Sequence, residues 1–424
     1  MEHLEKITLN NGLRVLLLPL EGALSASVGV WVAAGSRHES EREQGISHMI
    51  EHMLFKGTTR RSARDISEEM DLLGGNVNAY TTKEYTRFYA QALAENAVPA
   101  MDILCDMLLD PRLDPGDLAL ERGVILDEMA MYEDSGEDVA HETLCAAVWP
   151  ESSLGRPIIG RRDTVSSLSA DHLREYLRRQ YTPERMVAVA AGGFPREEML
   201  ALLQDSLGSL PRGAGLPAVD PPAFRPSLSL TRKAFEQTSL ALAVPGLPAG
   251  DPRRYAMMLL NFIVGGGASS RLFQRLREEL GLAYSVYSSA YSHQGAGLFA
   301  VAASFSADQQ ERVLLEIDAI LRGVAQGVSE EEFARALAQV KASYVLGLET
   351  VAAQAAYVGR NELLEGRAIG SAEVLAALDA LTPADVGALA DALLGAGVPR
   401  ALSVAGDVKE RTFYTPFLPG GDGN

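Results

Sequence analysis

The sequence predicts an α+β chain built from two similar α/β-sandwich domains that are related by internal duplication. Strand patterns take turns with helical patterns along the whole chain, which is typical of layered helices and sheets. A Pro-, Gly- and Ala-rich stretch at 213–226 lies near the middle and is typical of an interdomain linker. We therefore expect an N-terminal domain at 1–212 and a C-terminal domain at 227–424.

The first half opens with a β-hairpin signal. Alternating apolar residues flank Asn11-Gly12, a pair that favours a tight two-residue turn. Residues 28–32 predict a buried strand, because their apolar run is continuous. A helix is expected from about Glu43 to Phe55, with Gly57 as its stop signal.

The rest of this half alternates in the same way. Ser62 and Asp65 have the spacing of a capping box, which predicts the start of a second helix. Further patterns predict strands at 76–82 and 87–92 and helices near 94–109 and 116–131.

The second half repeats the first in outline, which is the main sign of duplication. Three segments have counterparts beyond the linker: 25–34 resembles 238–246, the helix around His48 resembles 255–264, and 74–80 resembles 281–287. The copies differ in chemistry, since Ala256, Leu259 and Leu260 stand where the first copy has His48, Glu51 and His52.

Composition limits the classes of partner. Apolar residues make up 47% of the chain and charged residues 22%, which is ordinary globular usage. The net charge of −18 disfavours nucleic acid and anionic membranes, both of which are polyanions. The two cysteines, Cys105 and Cys145, form no CxxC pair, and we expect Cys105 to be a buried thiol. Without a signal-like start or an apolar run long enough to span a membrane, a cytoplasmic location is expected.

The most informative motif is His48-Met49-Ile50-Glu51-His52, an H-x-x-E-H pattern. Helical positions i, i+3 and i+4 share a face, so both imidazoles can reach one metal ion with Glu51 beside it. Two histidines and a third ligand would leave one tetrahedral position of a zinc ion open to water. Glu51 could then take the proton of that water as a general base.

The third ligand is expected on the helix that carries Glu121 and Glu128. These two glutamates lie two turns apart and share a face. One carboxylate could bind the metal while the other orients a histidine ligand. Periodicity alone does not say which does which, and solvated helix glutamates are the plain alternative.

The chain resembles the pitrilysin-type (inverzincin) zinc metallopeptidases, and within them the short-chain branch of the mitochondrial processing peptidase beta subunit and its bacterial relatives. The most specific segments are 45–57, 74–89, 121–134, 181–187 and 269–286. The resemblance implies a zinc endopeptidase with one Zn²⁺ per chain. It implies that Glu128 is the third zinc ligand and that Glu121 is the carboxylate that supports the site.

The resemblance also implies substrate contacts. Asn78 and Ala79 would belong to an edge strand to which a peptide adds as an extra β-strand. Phe55 would line a pocket for a hydrophobic residue just after the cleaved bond. Arg277 and Tyr284 would contact the peptide near its scissile carbonyl. From the residues alone, Arg277 would instead be a helix-surface residue and Tyr284 a core residue.

Two further expectations follow from the resemblance. Family members enclose a chamber with two pairs of domains, like a clamshell, and a chain of this length supplies one pair, so a homodimer is expected. Asp138 and Glu142 have the spacing of acidic residues that bind basic substrate residues in processing-peptidase relatives.

Three functions compete at this point. The first is an active zinc endopeptidase acting on unfolded peptides in a closed chamber. The second is a non-catalytic peptide-binding or scaffold subunit, which some relatives have become by losing the motif that this chain retains. The third is a structural zinc protein, which the placement of two cysteines disfavours because closed zinc sites usually have four protein ligands.

Overall fold

A computed structural model describes residues 3–215 and 220–418. Residues 216–219, inside the predicted linker 213–226, lie outside the described residues. The strands are β1 (Glu5–Thr8), β2 (Arg14–Pro19), β3 (Ser25–Val32), β4 (Asn76–Thr81), β5 (Thr86–Leu93), β6 (Met186–Gly192), β7 (Ser227–Arg232), β8 (Thr238–Pro245), β9 (Ala283–His293), β10 (Ala296–Phe305) and β11 (Ala401–Gly406).

The helices are numbered in the same way along the chain. They are α1 (Ile46–Leu54), α2 (Ala63–Leu72), α3 (Ala97–Leu109), α4 (Pro115–Glu133), α5 (Gly136–Val148), α6 (Arg162–Ser167), α7 (Ala170–Gln180), α8 (Arg196–Asp205), α9 (Arg254–Val264), α10 (Gln310–Ala325), α11 (Glu330–Leu346), α12 (Val351–Glu365), α13 (Ser371–Asp379), α14 (Pro383–Leu394) and α15 (Arg411–Tyr414). A π-helix spans Phe273–Glu279.

The chain forms two compact units, each with one sheet. The first unit comprises Met1–Met129, Arg156–Ala218 and Val345–Ser371, and the second comprises Ala130–Gly155, Val219–Tyr344 and Ala372–Asn424. The predicted mixture of helices and sheets in two similar α/β domains is confirmed.

The two sheets have matching strand orders, as internal duplication predicts. The first sheet is ordered β1-β2-β6-β3-β5-β4, and the second is ordered β7-β11-β8-β10-β9. In each sheet one neighbouring pair is parallel, β2 with β6 and β7 with β11, and the other pairs are antiparallel. The first sheet has β1 as an extra strand, and β4 and β9 occupy equivalent edges.

In the first unit, α1 and α3 pack on one face of the sheet and α12 packs on the other. Gly359 lets α12 approach closely, because a Cβ there would lie 2.7 Å from the Trp31 ring. The fully buried Glu362 of α12 forms ion pairs with Lys6 at 2.7 Å and Arg14 at 3.3 Å.

In the second unit, α5 covers one face of the sheet, with Ala140, Leu144 and Val148 in its buried stripe. Helices α9 and α14 contact strands β9 and β8. Thus α12 follows the linker in sequence but belongs to the first unit, while α5 precedes the linker and belongs to the second. The compact units therefore differ from the predicted domain ranges 1–212 and 227–424, because α5 and α12 each belong to the other unit. Those ranges stay a prediction.

Several local expectations are confirmed and two are wrong. Ser62 caps α2 with Asp65 in a capping box, and Cys105 is a buried free thiol. The first hairpin has a three-residue loop rather than two, because Leu9 pairs with Leu13 and Gly12 takes φ +97° at its end. Helix α1 begins at Ile46 rather than near Glu43. Within the described residues, no helix has both the length and the apolarity needed to cross a membrane.

Candidate metal centre

Helix α1 presents one apolar face and one polar face. Its inner residues are completely buried in the core of the first unit: Ile46, Met49, Ile50, Met53 and Leu54. His48, Glu51 and His52 lie on the remaining face and are partly exposed. The helical period therefore brings the three motif residues together on one face, because the apolar side chains and the buried Ser47 occupy the rest of the helix surface.

The start of α1 is fixed by a carboxylate from the preceding loop. Glu39 is 5% exposed, and its two oxygens accept hydrogen bonds from the backbone N–H groups of Gly45 at 2.8 Å and Ser47 at 2.9 Å. These N–H groups have no partner within the helix, so the carboxylate satisfies them. Burial raises the pKa of Glu39 to about 7, although the hydrogen bonds oppose that rise.

Three side chains converge on a volume suited to one metal ion. The His48 and His52 ring centroids are 4.7 Å apart, and Glu128 of α4 places Oε2 3.8 Å from His48 Nε2 and 3.9 Å from His52 Nε2. One ligand atom from each residue lies within 4.8 Å of the other two. Zinc–ligand distances near 2.0–2.1 Å in a tetrahedron place ligand atoms about 3.3 Å apart, so a small contraction would complete the site.

Burial prepares His48 for this role. It lowers the pKa of His48 to about 4, with a further contribution from His52, so the ring is neutral near physiological pH. A neutral imidazole is the form that binds a metal. His48 Nδ1 is buried and has no hydrogen-bond partner in the described part of the chain, so only the other histidine has a supporting contact.

That contact comes from Glu121, which lies behind the His52 ring. Glu121 Oε2 is 2.9 Å from His52 Nδ1, and Glu121 Oε1 is 2.5 Å from Lys56 Nζ. Burial alone would raise the pKa of Glu121, but the hydrogen bonds from Lys56 and His52 hold it below its usual value. An ionised carboxylate only accepts, so Nδ1 carries the proton and Nε2 keeps its lone pair for a metal.

Lys56 was not singled out from the sequence. It follows His52 by four residues, just beyond the end of α1. A spacing of four residues brings side chains onto the same side of a helix, so this spacing could have indicated that Lys56 lies near His52.

Glu51 is held by the neighbouring edge strand. Thr81, the last residue of β4, donates a hydrogen bond from Oγ1 to Glu51 Oε2 at 2.6 Å. Burial raises the pKa of Glu51; the Thr81 bond and His52 oppose the rise, and Glu128 adds to it. Glu51 thus lies close enough to His52 and Glu128 to interact electrostatically with them, but it is not one of the three residues that could hold a metal.

The remaining predicted residues of the first unit lie at the end of α1 and on β4. Phe55 caps α1 and packs, half-buried, against the core. Asn78 is exposed and Ala79 is buried on β4, which pairs only with β5 among the described strands. Asn78 Oδ1 accepts a hydrogen bond from the Ala79 N–H at 2.8 Å.

The second unit carries the other four predicted residues. Arg277 is exposed on the π-helix, with its guanidinium carbon 5.8 Å from the Tyr284 ring centroid and 5.1 Å from that of Phe273. Tyr284 is 72% exposed, so the alternative reading of it as a core residue is wrong. Asp138 lies in the first turn of α5, and Glu142 follows one turn later with a buried Oε2 that has no described partner.

Sequence comparisons match the chain to one peptidase family over most of its length. The profile described as "Insulinase (Peptidase family M16)" matches residues 14–162, and that of the "Peptidase M16 inactive domain" matches 167–340. A protein from Streptomyces coelicolor named as an uncharacterized zinc protease is 39% identical over 96% of this chain and 90% of its own length. A Bacillus subtilis protein with the same description is 37% identical over 91% of this chain and 95% of its own.

A solved structure shares the fold. The crystal structure of a peptidase M16 inactive domain from Pseudomonas fluorescens covers 96% of this chain and 99% of its own, with a TM-score of 0.89 and 20% sequence identity. The predicted pitrilysin-type resemblance is therefore confirmed, and the chain belongs to peptidase family M16.

Proposed function

We propose that this chain is a zinc-dependent endopeptidase. The observation that carries the proposal is the convergence of His48, His52 and Glu128, whose ligand atoms lie within 4.8 Å of one another. Glu51, on the same helix face as the two histidines, would act beside them as the base. The names of the Streptomyces and Bacillus relatives support the same activity.

The donor set fits zinc. Two neutral imidazole nitrogens and one carboxylate oxygen are the three-ligand pattern of catalytic zinc sites, which keep a fourth position open. Structural sites instead use four protein ligands, often cysteines, and both cysteines of this chain are buried and lie outside the group of residues that could hold a metal. Zn²⁺, when bound, would supply a Lewis acid that lowers the pKa of water and polarises a carbonyl.

The residues around the proposed zinc site would have different roles in peptide hydrolysis. Glu51 would accept a proton on its carboxylate as water attacks the peptide carbonyl, and would then pass it to the departing amine nitrogen. Burial raises the pKa of Glu51 and so moves it toward the working pH, where a general base is most effective. Glu121 and Lys56 would keep the His52 ring in one orientation throughout.

Unfolded peptides fit an edge strand as the substrate. We propose that a peptide adds to β4 at Asn78 and Ala79, with affinity from backbone hydrogen bonds that do not depend on sequence. Binding would release the Ala79 N–H from the Asn78 side chain. Phe55 would contact the hydrophobic residue that follows the cleaved bond.

The proposed contacts of the second unit concern charge. Arg277 and Tyr284 would contact the peptide and stabilise the negative charge that develops on the attacked carbonyl oxygen. Asp138 and Glu142 would favour basic substrate residues, and this preference is supported by the buried Oε2 of Glu142, which has no hydrogen-bond partner among the described residues. A peptide library cleaved without enrichment of Arg or Lys would remove the preference for basic residues.

We further propose a homodimer that encloses the peptide in a closed chamber, located in the cytoplasm. One chain carries both the His48, His52 and Glu128 group and the Arg277 and Tyr284 pair, which supports a homodimer over a complex with a different partner subunit. Light scattering of the purified protein tests the dimer, and a monomeric mass with full activity would contradict it.

Glu51→Gln tests the function directly. We expect zinc to remain bound and cleavage of a quenched peptide to fall at least about a hundredfold, because the amide cannot take the proton. Glu68→Gln is the matched control, since Glu68 forms only an exposed ion pair with Arg64 on α2. Unchanged cleavage by Glu51→Gln contradicts the assigned base. Zinc binding without any cleavage by the unaltered protein favours the alternative, a non-catalytic peptide-binding or scaffold subunit.

A further inference from the structure

We propose that Thr81 is a positioning residue whose hydroxyl orients the Glu51 carboxylate, so that the strand proposed to bind peptide also sets the proposed base. This inference rests on the proposed function. It adds a residue that no motif assigns and connects two parts of the site.

The contact between the two residues is short and charge-assisted. Thr81 Oγ1 lies 2.6 Å from Glu51 Oε2 and donates its hydrogen to it. Hydrogen bonds to a carboxylate are about twice as strong as those between neutral groups. This bond restricts rotation of the carboxylate, because rotation would lengthen or misalign the bond.

A second hydroxyl lies behind Thr81. Thr86 on β5 is directly opposite Thr81 in the strand register, and the two Oγ1 atoms are 3.3 Å apart. Thr86 is fully buried and donates its own hydrogen to the Ala34 carbonyl at 2.7 Å. Each hydroxyl has a single hydrogen to donate. Thr81 gives its hydrogen to Glu51, so the Thr86 oxygen lies beside it as an acceptor to which Thr81 does not donate in this state.

This arrangement serves Glu51 before and after proton transfer. The ionised carboxylate accepts the Thr81 hydrogen. Once Glu51 has taken a proton from water, its own O–H can donate to Thr81 Oγ1, and the Thr81 hydrogen can turn to Thr86 Oγ1. Only rotations about C–O bonds are needed, so the carboxyl group keeps its place while its charge changes.

The location of Thr81 ties this positioning to substrate. Thr81 ends β4, two residues after Ala79, and β4 pairs only with β5 among the described strands. A peptide strand on the open side of β4 would restrict the backbone of residues 79–81 through further hydrogen bonds. We therefore expect the Thr81 hydroxyl to act mainly on the chemical step of the bound complex, and thus on kcat.

Thr81→Val and Thr81→Ser separate orientation from simple structural support. Valine keeps the β-branched shape but removes the hydroxyl, whereas serine keeps the hydroxyl. In the zinc-loaded full chain, we expect Thr81→Val to lower kcat for a quenched peptide about tenfold or more. KM and zinc content should stay unchanged, and Thr81→Ser should restore most of the lost kcat. Thr81→Ala replaces the valine variant if the latter does not fold.

Ser27→Ala is the matched control, because Ser27 is a buried hydroxyl of the same sheet with no hydrogen-bond partner in the described residues. It should cleave like the unaltered protein. Full kcat in Thr81→Val, or a loss that appears only in KM or in zinc content, overturns the positioning role and leaves the proposed function standing. Absence of cleavage by the zinc-loaded unaltered protein overturns the proposed function and this role together.

Discussion

At the scale of single residues, Glu121 supports the His52 ring, and Lys56 in turn supports Glu121. Glu121 holds the ring nitrogen that faces away from the converging group, and Lys56 holds the other oxygen of Glu121. His48 has no equivalent support in the described residues, since its Nδ1 is buried without a partner. The stability of a bound metal should therefore depend more on what surrounds His52 than on what surrounds His48.

Glu121→Gln should weaken zinc binding about 10–100-fold, because the amide is a poorer acceptor for the ring N–H and loses the charge. Lys56→Met should weaken it less, since the contact between Glu121 and His52 remains. Competition with a metal chelator measures both. Lys341→Met, which breaks an exposed ion pair with Asp379, is the control and should bind zinc normally. Equal affinity in Glu121→Gln and the unaltered protein would contradict the supporting role.

Glu39 makes a pH-dependent contribution to stability. Burial raises its folded-state pKa from 4.5 to about 7, so the folded protein holds this proton more tightly than the unfolded chain. This stabilisation is fully present below the unfolded pKa and is lost as pH rises through about 7. The free energy of unfolding should fall by up to about 3 kcal/mol over that range.

Glu39→Gln removes this dependence and one of the two acceptors for Gly45 and Ser47. Thermal unfolding across pH should therefore show a midpoint below that of the unaltered protein, with a gap that narrows between about pH 4.5 and pH 7. His38 and His48 titrate in both proteins, so the difference isolates Glu39. A gap that stays constant with pH would contradict the raised pKa.

Local spacing predicted which side chains share a face of one element, but it carries no information about contacts between elements. Helical spacing was enough to bring His48, Glu51 and His52 together. Thr81 and Glu39 reach α1 from a strand and a loop, and no local pattern records such contacts. Periodicity left the choice between Glu121 and Glu128 open, because it places both on one face. The family resemblance implied Glu128, and the structure brings Glu128 close to both histidines.

At the scale of elements, the start of α1 depends on a glycine with a positive φ. Gly45 has φ +90°, and a Cβ there would lie 2.6 Å from the Ile159 carbonyl oxygen. The helix was expected to begin near Glu43, because apolar periodicity marks a helix only roughly. The observed start at Ile46 is set by Gly45 and by the distant Glu39 carboxylate.

Gly45→Ala should destabilise the first unit and weaken zinc binding. The positive φ alone costs about 1–2 kcal/mol for a residue with a Cβ, and the backbone clash adds to it. Gly123→Ala is the matched control, because Gly123 lies in α4 with nothing within 4 Å of an added Cβ. It should stabilise by about 0.5–1 kcal/mol. Thermal unfolding and zinc titration of both variants check this, and equal behaviour of the two would contradict the account.

The π-helix is another element that periodicity did not reveal. It spans Phe273–Glu279 and carries Arg277 on its exposed side. Apolar spacing in seven residues cannot separate a π-helix from an α-helix, because the two differ by one residue in hydrogen-bond offset. The strands were easier to predict, since their alternation and their glycine boundaries are local.

At the scale of the whole molecule, the sequence predicted the duplication but not the exchange of helices. Equivalent strands hold equivalent places in the two sheets. Helix α12 belongs to the first unit although it follows the linker, and α5 belongs to the second although it precedes it. An amphipathic pattern shows that a helix packs on a sheet without showing which one, so this arrangement could not be read from the residues.

The close approach of α12 to the first sheet depends on Gly359. An added Cβ would lie 2.7 Å from the Trp31 ring, which is completely buried. Gly359→Ala should therefore cost about 1–3 kcal/mol and speed hydrogen exchange in α12. Gly387→Ala on α14 meets nothing within 4 Å and should leave exchange in α12 unchanged. Normal protection of α12 in Gly359→Ala would contradict the packing described for it.

The central claim is that one zinc ion is held by His48, His52 and Glu128. X-ray absorption spectroscopy of the zinc-loaded protein, compared with Glu128→Gln, tests it most directly. We predict one zinc ion per chain, bound by two imidazole nitrogens and by oxygen ligands at about 2.0–2.2 Å. In Glu128→Gln we predict a changed spectrum and weaker zinc binding. An unchanged spectrum and affinity in Glu128→Gln, or a zinc ion without imidazole ligands, would contradict the claim.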